Sequence, residues 1–516
     1  MTKRLMGWHK TLALWMTLPL FIWAFSGLLH PLMGHFFKPP RLQLATEQFA
    51  ELGFLPRRTS LAYVLNTHGI ERFSSVKLVM FQGAPHYQVR IQDGESQADS
   101  DRIAAPNPNY QLRYFAVEDG TERFAEQQGV GKVADAEYAA ELVNRLDGSS
   151  TTAMSLIRNF TPEYPAINRI LPVYRIAKSS GTIFYIDTHG SRISTLSTPT
   201  RESLSFWFRT LHNLSFIGEM HSPVRLVVLG VMISGILLLA LTGLLLYSGL
   251  WRRLSSGRGK PSISQFHRVS GMIICLSLLG FATSGLHTLV SKQSRDEHFG
   301  ISPGNELSVS ELDFDPLQTM LSLQADNFNL VQWDGQLWLQ FWRYMEQAST
   351  PKPGQDKVLT LGYWRPEQAQ RTDADYAAFL GYSKLGVARS PSSQKTVTHF
   401  GGSYPFILKR LPVQQMAYGD SGQLVAIETH TGYVAQLADQ ADKYRSIHFS
   451  ALHKYHFLND LGKVPRDLFI TLIILTILGT ASLGLVLYFK RSYRRVRRRD
   501  LAAGEAQLQQ LTSGEQ

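Results

Sequence analysis

Cysteine is almost absent: the chain of 516 residues has one, Cys275. No disulfide can close within it, and no thiolate metal centre can be built from it. The Cys-x-x-Cys-His signal for covalent haem is missing as well. No Gly-x-Gly-x-x-Gly follows a predicted strand, so no nicotinamide or flavin domain is encoded. The stretch SSGRGKPS (255–262) lacks the leading glycine of a phosphate-binding loop and puts Pro261 after its lysine, which excludes that reading too.

Charge is missing just as selectively. Four blocks carry no Lys, Arg, Asp or Glu: Leu12–Leu32, Leu226–Leu250, Val269–Val290 and Leu468–Phe489. Each reaches the roughly 20 apolar residues that cross a bilayer, so four spanning helices are expected. The first block has the basic start and apolar middle of a signal peptide, but GLLHPLMGHFF offers no small-x-small cleavage site. It is expected to stay as an anchor.

The net charge of +11 sits beside these blocks. Residues 1–10, the acid-free connector 250–268 and the tail 490–516 together carry +12, leaving −1 for everything else. Basic residues flanking spans mark the cytoplasmic side, so both termini and the connector are expected there. A nucleic-acid patch would not explain why every basic cluster abuts a span. The expected partner is therefore the lipid bilayer, with no nucleic acid. The domain order that follows begins with a cytoplasmic start and first span (1–32), an extracytoplasmic domain (33–222), a second span (223–250) and a basic cytoplasmic connector (251–268). It continues with a third span (269–290), a second extracytoplasmic domain (291–466), a fourth span (467–489) and a basic tail (490–516).

The chain states one plan twice. At an offset of 258, Trp8-His9-Lys10 pairs with Phe266-His267-Arg268 and Ser26-Gly27 with Ser284-Gly285, while His30 and His287 fall one residue out of step. At an offset of 241, YIDTHGSRISTL (185–196) matches AIETHTGYVAQL (426–437), and TLHNLSFIGEMHSPVRL (210–226) matches ALHKYHFLNDLGKVPRD (451–467). The second match lays His212 over His453 and Arg225 over Arg466. Each half crosses twice, so the copies run parallel about an axis along the membrane normal, as in some transporters. Between the spans, residues 60–70 and 137–148 read as helices and 172–196 as a three-stranded meander. SSVKLVMF with APHYQVRIQDG reads as a hairpin, and LVQWDGQLWLQFW as an Asp-Gly hairpin.

This combination resembles the PepSY-associated transmembrane family. The marks are Trp8-His9-Lys10 opening the first span, its Ser-Gly-Leu-Leu-His close, the IDTHG and IETHTG turns, and Leu211-His212 and Leu452-His453 before the following spans. The resemblance implies an α+β membrane protein: four transmembrane helices in two parallel-repeat halves, each with an extracytoplasmic PepSY-like α+β domain. Some members are inner-membrane ferric-siderophore reductases carrying b-type haem, and others are linked to peptidase regulation. The implied activity is haem-dependent electron transfer from a separate cytoplasmic or membrane donor to an extracytoplasmic ferric siderophore or other ferric chelate. Two haems b are implied, in a bacterial inner membrane with the large domains periplasmic. A non-enzymatic peptidase-regulatory or sensor protein is the alternative. A transporter is disfavoured by the absence of charge at mid-span.

Histidines in spans are rare and by default functional. His9 to His30 is 21 residues and His267 to His287 is 20, about 30 Å of helix at 1.5 Å per residue. Each of spans one and three thus has a histidine at either face, and paired imidazoles are a common haem ligation. The candidate ligands are His9, His30, His212, His267, His287 and His453, with His30, His287, His212 and His453 closest to the iron of an outer haem. Their pairing is open: His30 with His287 and His212 with His453, or the crossed pairs. His35, His221, His298, His448 and His456 do not recur and are expected at the surface or behind the ligands, while His189 and His430 recur inside tight turns and are expected to be structural.

Overall fold

The computed structural model describes residues 2–513 except 41, 43, 46, 48, 50–51, 53–56, 93–109, 124–133, 219–221, 255–261, 294–305, 347–356, 402 and 420. His221, His298 and the 255–261 stretch of the basic connector lie outside the described residues. The helices are α1 (Thr2–Phe36), α2 (Leu61–Thr67), α3 (Ala134–Asn144), α4 (Pro199–His212), α5 (Pro223–Leu254), α6 (Ile263–Gln293), α7 (Pro316–Ser322), α8 (Asp373–Leu385), α9 (Gln440–Leu452) and α10 (Lys463–Ser513). The chain divides into two compact units, one of 1–38, 203–295 and 442–516, the other of 39–202 and 296–441.

The first unit is helical. Its four long helices, α1, α5, α6 and α10, are those long and apolar enough to cross a membrane. In hydrocarbon only a helix satisfies every backbone group within one segment, and all four outrun the charge-free blocks at both ends. α5 starts at Pro223, a position where the missing N–H costs nothing. Ahead of α6, Gln265 N–H donates to Ser262 Oγ while Ser262 N–H donates to Gln265 Oε1, a reciprocal cap.

α1 and α6 each pack on both α5 and α10, which is the pairing a two-fold repeat requires. The core contains Leu20, Ala24, Ile236, Ile274, Leu278 and Ile477. α5 and α6 run unbroken through Gly230, Gly235 and Gly243 and through Gly271, Gly280 and Gly285. Such glycines allow close approach. A Cβ at Gly235 would collide with the Met16 sulfur, and one at Gly243 would lie 3.3 Å from the His9 ring. Trp15, by contrast, points outward, 72% exposed. The short helices α4 and α9, which fall within the expected extracytoplasmic domains, group with this helical unit from Ser203 and from Asp442 onward.

The second unit holds two copies of one α+β plan. The first copy has β1 (Arg72–Phe73), β2 (Ser75–Phe81), β3 (Ala84–Gln92), β4 (Tyr110–Ala116), β5 (Thr151–Ile157), β6 (Val173–Lys178), β7 (Ile183–Asp187) and β8 (Arg192–Ser197). The second has β9 (Leu307–Ser308), β10 (Asn327–Trp333), β11 (Gln336–Glu346), β12 (Lys357–Trp364), β13 (Arg371–Thr372), β14 (Ser393–Val397), β15 (Val413–Tyr418), β16 (Gln423–Glu428) and β17 (Tyr433–Ala438). Sheets β2-β3-β4 and β10-β11-β12-β13 correspond, as do the meanders β5-β6-β7-β8 and β14-β15-β16-β17.

The copies meet along the edges of β2 and β10. Asn329 Oδ1 accepts from Val76 N–H at 3.0 Å, and Asn327 Oδ1 accepts from Leu78 N–H at 2.8 Å. Asparagine side chains thus satisfy an edge that would otherwise invite foreign strands. Each IDTHG-type turn is tied down in the same way. Gln88 Nε2 donates to the Tyr114 hydroxyl and the Thr188 carbonyl, and Gln340 Nε2 donates to the Tyr363 hydroxyl and the Thr429 carbonyl.

Candidate functional site

His212 ends α4 and His453 directly follows α9. Each is held by a serine from a long helix: Ser26 Oγ lies 3.0 Å from His212 Nδ1, and Ser284 Oγ lies 3.2 Å from His453 Nδ1. Both serines are fully buried. Their hydroxyl protons are already committed, since Ser26 donates to the Trp23 carbonyl and Ser284 to the Phe281 carbonyl, each at 3.1 Å. A hydroxyl so directed offers its oxygen to an Nδ1–H, the tautomer in which Nε2 keeps a free lone pair. That is the tautomer a metal ligand needs.

The rings are fixed in plane as well. Phe208 stacks on His212 at 4.9 Å and Phe449 on His453 at 4.6 Å, each at 14°. Trp23 Nε1 anchors the His212 carbonyl at 2.9 Å. After each histidine the chain turns through a left-handed residue, Leu214 (φ 52°) and Tyr455 (φ 51°), a conformation that is costly for a side chain bulkier than glycine. Arg225 steadies the first turn by donating to the Asn213 and Gly218 carbonyls. The two imidazole centres are 6.2 Å apart.

The other end of the long helices shows the same logic. His9 Nδ1 faces Thr242 Oγ1 at 3.1 Å, and that hydroxyl donates to the Leu238 and Leu239 carbonyls. His267 Nδ1 donates to the Thr480 carbonyl at 3.0 Å. Each ring lies over a glycine, Gly243 or Gly484, where a Cβ would come within 3.3 or 3.2 Å of it. Again both Nε2 atoms are left without a protein partner among the described residues.

His30 and His287 are placed differently. His30 is exposed, with Phe208 as its ring neighbour at 6.2 Å. His287 Nδ1 meets His448 Nδ1 at 3.1 Å. No ring contact joins His30 to His287 among the described residues. Sequence reasoning set His448 aside because position 207 of the first copy is tryptophan. His35, also set aside, pairs with Asp467 at 2.9 Å, and His456 is exposed. Ser26 and Ser284 were visible as a repeated Ser-Gly. Phe208 and Phe449 were visible as a phenylalanine four residues before each histidine.

The family model for the PepSY-associated TM region matches residues 84–363, more than half of the chain. The chain belongs to this family. The match runs from β3 of the first copy to β12 of the second and includes α5 and α6. No curated protein matches.

Haem can be tested against this PepSY-associated protein's own residues. Among the described residues no three His, Cys, Asp or Glu side chains gather to chelate a bare ion. Two imidazoles suffice only where the remaining donors come with the iron, as they do in a porphyrin. A metal–imidazole bond of about 2 Å on either side sets the ring centres roughly 6 Å apart. The His212–His453 spacing of 6.2 Å fits that requirement.

Proposed function

We propose that this membrane protein carries electrons from a cytoplasmic-side donor to an extracytoplasmic ferric chelate, a ferric siderophore in the first instance. The reading rests on one observation above all. Two symmetry-related histidines stand 6.2 Å apart, each with its Nδ1 within hydrogen-bond distance of a buried serine.

His212 and His453 would hold one b-type haem, and His9 with His267 a second. Bound haem supplies one-electron exchange at iron. Ser26 and Ser284 fix the ligand tautomer, and Phe208 and Phe449 fix the ring planes. Thr242 and the Thr480 carbonyl do for the inner pair what the serines do for the outer. From His9 to Ser26 is 17 residues of α1, about 26 Å of helix at 1.5 Å per residue, so the two pairs lie toward opposite faces of the membrane. A ferric ion that gains one electron becomes ferrous, a poorer match for the hard oxygen donors of a siderophore, and leaves the chelator.

The basic segments set the orientation, with termini and connector in the cytoplasm and the β-rich unit in the periplasm of a bacterial inner membrane. Reporter fusions after residue 260 and at residue 516 are both expected to read cytoplasmic. A periplasmic signal from either would reverse the proposed direction of transfer.

The activity is tested by reducing the purified protein, removing excess reductant and adding a ferric hydroxamate chelate with a ferrous-ion trap. Haem reoxidation with one ferrous ion trapped per electron is expected. Protein that purifies without a haem absorption band would favour the peptidase-regulatory alternative instead.

A further inference from the structure

The β-rich unit contains a cavity of about 420 Å³, within the range of small-molecule sites. It lies where its two copies meet. From the first copy come Lys77 on β2 and His189 and Ser191 of the IDTHG turn; from the second come Asn329 on β10 and His430 and Thr431 of the IETHTG turn. Trp342, Tyr344, Leu142 and Leu359 supply an apolar and aromatic wall.

The charge in this cavity does not cancel. Glu47 and Arg145, both on its lining, are paired with each other. His189 is held well below its ordinary range by burial and by the cations Arg90, Lys77 and Arg192 around it. Burial also pushes His430 down to about 4, despite the Glu428 carboxylate beside it. Both imidazoles are therefore neutral at pH 7. Lys77 is different. Its ammonium donates to Ser191 Oγ at 2.6 Å, and no carboxylate of a described residue lies within 4.0 Å of it. Burial brings it down only to about 8, so it stays mostly charged at pH 7. One further group is unsatisfied: His430 Nδ1 is buried with no hydrogen-bond partner. Asp187 and Glu47 act on Lys77 only through space; a buried cation with no carboxylate in contact is costly, and so is a buried polar atom without a partner.

We infer that this cavity binds a small anionic ligand, with a carboxylate or phosphate group as the counter-ion of Lys77 and an apolar body against Trp342 and Tyr344. The two turns close on the ligand from both copies, which explains why the same His-bearing turn is kept in each. The inference does not rest on the haem reading, and its test needs no haem.

The full chain in nanodiscs is titrated calorimetrically with benzoate, phenyl phosphate and benzylammonium. One or both anions are expected to bind and benzylammonium is not; which anion binds more tightly identifies the head group. In Lys77→Met the anion affinity is expected to fall at least tenfold. Benzylammonium binding as tightly as the anions, affinity unchanged in Lys77→Met, or no anion binding up to roughly 10 mM would each overturn the inference. Where Lys77→Met does not fold, acetic anhydride labelling of the wild type, read by mass spectrometry, decides. Slower acetylation of Lys77 with the tighter anion present supports the site, and equal labelling overturns it.

Discussion

In the His212→Ala and His453→Ala variants, bound haem is expected to fall by half, from two to one per chain, with reduction of an external ferric chelate abolished. Each substitution would remove one of the proposed haem ligands without introducing a helix-breaking residue, because alanine is the best helix former. Membrane insertion should therefore be unchanged, and haem quantification together with chelate reduction reads the effect. Ser26→Ala and Ser284→Ala keep the ligands but release the Nδ1 proton from the oxygens that hold it at 3.0 and 3.2 Å. Losing such a supporting contact typically weakens metal binding about 10- to 100-fold, so haem should dissociate faster rather than disappear. His30→Ala and His287→Ala test the open pairing. The geometry favours the uncrossed outer pair, so both variants should keep two haems. A loss in His30→Ala as large as in His453→Ala would establish the crossed pair.

The second large effect is expected in the β-rich unit. Glu428 is completely buried between two guanidiniums: Arg192 of the first copy clasps both its oxygens, and Arg410 donates at 2.6 Å. Burial acts to raise the Glu428 pKa, but the Arg192 and Arg410 guanidiniums overcome it and hold the carboxyl well below its ordinary value. Glu428→Ala leaves two buried cations facing each other and should cost about 3–5 kcal/mol, roughly a 10 °C fall in the unfolding temperature of a unit this size. The exposed pair Arg72–Glu306 is the control, and Arg72→Ala should not shift the transition measurably. A depressed carboxylate stabilises fully above its unfolded value of 4.5 and loses that contribution only as pH falls through the lower folded value. The gap between wild type and Glu428→Ala should therefore hold from pH 7 to pH 5 and narrow only in stronger acid.

The spans and the duplication were legible because both depend on local pattern: charge-free runs for the helices, and recurrence at fixed offsets for His212 with His453. The hairpins at β2–β3 and β10–β11 carry their turn residues in sequence and were read correctly. What escaped needed distance. Ser26 and His212 are 186 residues apart, and nothing in either segment says that one fixes the tautomer of the other. His448 was expected at the surface or behind the ligands, and its contact with His287 names a partner that recurrence could not, since the contact has no counterpart in the first copy. α4 and α9 fall inside the stretches assigned to the extracytoplasmic domains, and their grouping with the long helices could not be read from sequence. The Asn327 and Asn329 bonds to β2 were likewise invisible, since a polar residue on a strand reads as solvent-facing until its neighbour is known.

The central claim is that two histidine pairs hold haem across this membrane protein, and the absorption spectrum of the purified chain with haem quantification tests it most directly. The account predicts a red protein with two acid-extractable b-type haems per chain and the reduced spectrum of six-coordinate, low-spin iron. A colourless protein, or haem content unchanged when His9, His212, His267 and His453 are all replaced by alanine, would contradict it.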